Sequence, residues 1–135
     1  MIPAQFDVEG KLELGVEVGG VVHREFVIGP ISVAGAMAAD AETDVRPEGV
    51  DPDAWRGLCR TARRVRRLGT LPSGWLTGRV LLEMAEVDVN VLISGSQEVE
   101  AAIASFRAGG QVAPQGPRDR GEGDALVRGV VDGNA

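Results

Sequence analysis

"KLELGVEVGGVVHREFVI", residues 11–28, decides the fold class. Leu12, Leu14, Val16 and Val18 share one parity, with Glu13, Gly15 and Glu17 between them. That is the period of a half-buried strand. Gly19-Gly20 supplies two residues that accept positive φ in a tight turn. The stretch therefore reads as a β-hairpin with two candidate registers. A two-residue loop pairs Val18 with Val21 and sets Leu14 against Glu25. A three-residue loop pairs Val18 with Val22, Leu14 with Phe26 and Leu12 with Ile28. The second gathers the apolar side chains on one face and is the expected one. An isolated hairpin is marginal in water, so it must pack on other elements.

Those elements read as helices. Gly29-Pro30 ends the second strand, because proline donates no ladder hydrogen bond. Ser32 then caps a helix from Val33 to about Glu42, with Val33, Met37 and Ala41 as a narrow apolar stripe. In "DPDAWRGLCRTARRVRRLG", residues 51–69, Asp51 is an N-cap and Pro52 a first helical residue. Trp55, Leu58, Cys59, Ala62, Val65 and Leu68 are spaced as one helical face, and Gly69 stands where a left-handed C′ is expected. Thr77 caps a short helix that buries Val80, Leu81 and Met84. Asp88 caps the longest helix, Val89 to about Ala108, in which Leu92, Val99 and Phe106 repeat at seven. Gly95 is a soft spot there, of about 1 kcal/mol relative to Ala.

The expected architecture is α+β: an N-terminal hairpin packed on three to four helices. Residues 1–10 form an arm and 11–108 one domain. Residues 109–135 are Gly, Pro and charge without periodicity, and form a flexible, disordered tail.

The totals narrow the function. The 135 residues suit one domain with one modest core. Aromatics are only 4% and Tyr is absent, so Val, Leu, Ile and Ala must build that core. A net charge of −6 argues against general affinity for nucleic acid or anionic membranes. Cys59 is the one cysteine, so no internal disulfide is possible. The N-terminus lacks a signal-peptide pattern, and no apolar run approaches the ~20 residues of a membrane span. A soluble intracellular protein is expected.

Catalytic chemistry is sparse. His23 is the only histidine, placed near Glu17 in the expected register. Any Ser-His-Asp or Cys-His site would have to use it. Cys59 lies on the apolar face of its helix, as a structural thiol does. The one lysine, Lys11, follows no Gly-rich phosphate loop. The pairs Glu83/Glu86 and Glu98/Glu100 read as solvated helix charge. No catalytic residue, metal ligand or cofactor is assigned. Six arginines fall within Arg56–Arg67. They are read as a solvated face, as an interface to an acidic protein, or as a nucleic-acid grip. The last lacks aromatic or amide interleaving.

Three segments carry a family resemblance: "LELGVEVGGVVHREFVIGPIS", "LCRTARRVRRLGTLPSGWLTGRVLLEM" and "EVDVNVLISGSQEVEAAIASFR". Their order, over about residues 11–107, resembles the tail assembly chaperones of Mu-like and related tailed phages. The resemblance implies a non-enzymatic protein of the bacterial host cytoplasm that coats and solubilises the tape-measure protein. It implies further contacts with the tail tube subunit and with a frameshift-extended form of the chain itself. The expected client face is Trp55, Leu58, Trp75, Leu92, Val99 and Phe106. The alternatives are a small nucleic-acid-binding regulator that uses Arg56, Arg60, Arg63, Arg64 and Arg67, or a structural virion protein.

Overall fold

A computed structural model describes residues 2–109. The flexible tail expected over 109–135 lies, from residue 110 on, outside the described residues. The elements are a 3-10 turn at Ala4–Phe6, β1 (Val8–Val18), β2 (Val21–Ile28), α1 (Val33–Thr43), α2 (Pro52–Arg64), β3 (Val65–Leu68), α3 (Gly78–Glu83) and α4 (Glu86–Gly109). The fold is α+β, a three-stranded antiparallel sheet in the order β1-β2-β3 with four helices. The chain divides at Glu100 into two units. The first holds the whole sheet and α4 as far as Glu100; the second is described as the last turns of α4, Ala101 to Gly109.

The hairpin departs from the expected register. Gly19 and Gly20 both take positive φ, 58° and 82°, and close a two-residue loop with Val18 opposite Val21. Two consecutive residues in that region make the tightest turn, whose twist matches the strands it joins. The apolar pairing is recovered by a bulge. Between Lys11 and Val16 the register shifts, so that Leu12 to Gly15 face Arg24 alone. Beyond it Gly10 pairs with Phe26 and Val8 with Ile28. The bulge buries Leu12 completely and turns Leu14 out, 63% exposed. One strand thus satisfies both the turn and the core, which no unbroken register could do. It also starts at Val8, inside the stretch expected to be an arm.

The arginine-rich helix is shorter than its spacing suggests. Asp51 caps it, accepting from the Ala54 amide at 2.9 Å, with Pro52 in the first turn. It stops at Arg64, and Val65–Leu68 becomes β3 rather than a last helical turn. Phe26 pairs with Leu68 and Val27 with Arg67. Gly29 N–H donates to the Arg64 carbonyl at 2.9 Å, and Gly69 N–H to the Glu25 carbonyl at 2.7 Å. The unpaired side of β2 offers this segment backbone hydrogen bonds that satisfy both strands, which outweighs a weak local preference for helix. Gly69 does take positive φ, but it turns the chain after a strand.

Two apolar clusters result. Leu12, Phe26, Ile28, Leu68, Val89, Leu92 and Val99 are buried around the sheet and α4. At Gly95 a Cβ would stand 3.1 Å from Ile28, so the helix lies close on β2 at this point. Ala39, Trp55 and Cys59 form the second cluster, with Val50 and Leu58 packed against it. No helix among the described residues is long and apolar enough to cross a membrane.

Candidate protein-binding surface

The polar groups inside this fold are committed to holding it. Asp88 was expected to cap its helix; it lies within the first turn of α4, fully buried, and reaches another element. Its Oδ1 accepts from the Leu14 amide and its Oδ2 from the Gly15 amide, both at 2.9 Å. These are adjacent amides of the β1 bulge, which the β ladder leaves without partners. Glu42, at the end of α1, repeats the device. It accepts from the Gly78 and Arg79 amides at 3.0 and 3.1 Å, at the N-terminus of α3. Thr77 caps the same helix as expected, accepting from Val80. Trp55 Nε1 donates to the Glu42 carbonyl at 3.1 Å, so the end of α1 joins both neighbouring helices.

The titratable groups singled out from the sequence stand apart. His23 is buried and pairs across the hairpin with Val16, while Glu17 pairs with Val22. Its Nδ1 accepts from the Thr70 amide at 3.3 Å. Cys59 is buried, and its thiol is pushed up from its ordinary value by burial and then by the charge of Glu42. Such a thiol is a poor nucleophile at neutral pH. Glu83, Glu86, Glu98 and Glu100 are all exposed. Among the described residues no group of three or more His, Cys, Asp or Glu side chains could hold a metal ion.

The arginines do not share one face. The break at Arg64 leaves Arg56, Arg60, Arg63 and Arg64 on α2 and places Arg67 on β3. Three members of the run are occupied by carboxylates. Arg63 lies 3.8 Å from Glu42, Arg64 2.5 Å from Glu100 and Arg66 2.8 Å from Asp7. Arg56 and Arg67 remain exposed, and Arg60 is half-buried.

The expected client face is divided in the same way. Trp55, Leu92 and Val99 are buried in the two clusters and present no surface. Leu58 is half-buried against the second cluster. Trp75 is half-buried and lines a groove of about 390 Å³ with Val16, Val80 and Met84. Phe106 is exposed and belongs to the second unit. The apolar surface on offer lies elsewhere. Val33 and Met37 on α1 are 78% and 67% exposed, and Ala41 is exposed one turn further on. The stripe was legible in the sequence, but not whether a neighbour covers it. A helix has two narrow apolar sides here, and the packed one runs through Ala39. No family model matches the chain, and neither a curated protein nor a solved structure does.

Proposed function

We propose that the chain is a non-enzymatic assembly chaperone of the phage-tail type, which binds an apolar helical client and keeps it soluble. The observation that supports this reading most is the outward stripe of Val33, Met37 and Ala41 on α1. A folded helix that already packs its other side on α2 gains nothing by showing these side chains to water. They suit a shallow, repeated contact with another helix better than a pocket does. The client in this reading is the tape-measure protein, a long helical chain, and the site of action is the bacterial host cytoplasm. The client contacts move from the expected Trp55, Leu92 and Val99 to α1, with Trp75 beside its own groove.

Co-expression with the large helical protein encoded next to this gene tests the reading. The client should become soluble, co-purify, and stay bound in high salt, because apolar contacts are not screened. Met37→Glu should abolish co-purification while the variant remains folded. A client that stays insoluble sinks the proposal. So does a chain that is held on nucleic acid until salt releases it, which would return Arg56, Arg60 and Arg67 to the centre.

A further inference from the structure

We propose that the outer edge of β1 is an interface between two copies of this chain, joined about a two-fold axis at Gly10 into one six-stranded sheet. Among the described residues the strand order leaves β1 with a partner on one side only. Which of its backbone groups face outward follows from the far side of the sheet. The Glu25 carbonyl accepts from Gly69, so Glu25 directs its backbone groups toward β3. In an antiparallel strand the next residue points the other way, so Phe26 directs its groups toward β1 and its partner Gly10. Glu9 and Lys11, on either side of Gly10, then direct theirs to the open edge. Beside that edge lies a groove of about 460 Å³, whose far wall is α4 through Val87, Asn90, Val91 and Ser94.

Charge selects the occupant and the register. Both Glu9 and Lys11 are exposed, and neither has an ion pair among the described residues. Like charges directly opposite each other on neighbouring strands are destabilising. Centring the pairing on Lys11 opposes two lysines, and opposes Glu9 to Glu13. Centring it on Glu9 opposes two glutamates, and sets Lys11 against Asp7, which Arg66 already holds. Centring it on Gly10 opposes Glu9 to Lys11 twice, by symmetry, and sets Glu13 only against Asp7, whose charge Arg66 already holds. In that register Glu9 and Lys11 are also the hydrogen-bonded pairs, and the two Gly10 residues meet at the close, non-hydrogen-bonded position. A second copy of β1 is therefore complementary to the first in charge and in backbone pattern.

The packing beneath agrees. A two-fold axis that joins two antiparallel edges stands normal to the sheet and keeps both α4 helices on one face. Val8 and Gly10 lie on that face, because their partners Ile28 and Phe26 sit under Gly95. The half-open groove of one copy would be closed by the other, with Val87 and Val91 of the two helices brought toward each other. Val87 is exposed in the single chain, and its burial would remove apolar surface from water.

Sedimentation velocity on the full chain tests this, from about 1 µM to about 1 mM, a range that covers moderate and weak association. The expected species has twice the 14.1 kDa mass of the chain. Glu9→Lys alone and Lys11→Glu alone should each weaken dimerisation by at least about tenfold, since each makes both cross-strand pairs like-charged. An equimolar mixture of the two variants should recover the dimer as a heterodimer, and so should the double variant with the charges exchanged. Circular dichroism of each single variant should match that of the unaltered chain. A chain of single mass throughout the range overturns the proposal. So does a dimer that both single variants leave intact, or a mixture of dissociated variants that does not reassociate.

Discussion

Asp88 and Gly15 stand 73 positions apart and are joined by a 2.9 Å hydrogen bond, from the Gly15 amide to the Asp88 carboxylate. The adjacent Leu14 amide donates to the other oxygen. Gly15 takes a φ of 96°, a conformation that side chains with a Cβ rarely adopt. The bulge, its glycine and the first turn of α4 are thus one structural unit. Asp88→Ala leaves two amides of a part-buried site without their acceptors, and should cost about 2 kcal/mol. Asp88→Asn keeps one acceptor and should cost about half of that. Urea unfolding at constant slope gives both values. Equal, small losses would mean that the bulge holds without the carboxylate.

Glycines 57 and 78 should respond to alanine with opposite signs. Gly57 lies inside α2, where a Cβ would meet nothing within 4 Å. Gly57→Ala should stabilise the protein by about 1 kcal/mol through helix propensity alone. Gly78 opens α3 against α2, and a Cβ there would stand 2.8 Å from Cys59 Sγ and 3.2 Å from its backbone. Gly78→Ala should destabilise by about 1–2 kcal/mol despite the same propensity gain. Thermal melts of the two variants on either side of the unaltered protein would establish the contact; two upward shifts would contradict it.

Removing the Asp51 cap should be a smaller change. Its carboxylate satisfies one amide at an exposed helix start. Asp51→Ala should lower stability by about 1 kcal/mol, and Asp51→Ser should recover most of it.

Cys59 links stability to alkaline pH. Its thiol titrates above its ordinary value of 9.0 in the folded chain, because burial and the Glu42 charge both oppose the thiolate. Unfolding exposes it and lowers that value. The folded state then holds the proton more tightly than the unfolded one, so the contribution is complete below about pH 9 and is lost as pH rises past it. Cys59→Ala should flatten that alkaline decline in urea titrations between neutral pH and about pH 10. A thiol reagent should label Cys59 slowly in the native protein and quickly in denaturant.

Local chemistry was readable wherever a signal acts within a few residues. Ser32, Asp51 and Thr77 all cap the helices they precede. Gly19-Gly20 make the turn, and the α+β class follows from the hairpin they close and the helices after it. Asp88 carried the same signal as those caps, yet its side chain turns to β1. The difference is the bulge, whose free amides compete for the carboxylate, and no local pattern announces them.

The candidate surface was legible in part. Val33, Met37 and Ala41 could be picked out as a stripe, but a stripe is silent on whether a neighbour covers it. Trp55, Leu92 and Val99 looked equally suited to a client, and the fold buries them. The two-fold pattern around Gly10 lies open in the sequence as Glu9-Gly10-Lys11, but it acquires meaning only on an edge strand.

By itself the sequence determined where the chain turns, which residues cap its helices and that strands and helices would share a core. These rest on φ preferences, capping and periodicity, each complete within a turn or two. Only the tertiary structure decided that Val65–Leu68 is a strand, that β1 bulges at Leu12–Gly15 and that α1 shows its apolar stripe to solvent. Each of those depends on a partner distant in sequence: the free side of β2, the carboxylate of Asp88 and the α2 face around Trp55. Their hydrogen bonds and buried surface exist only once the elements have met.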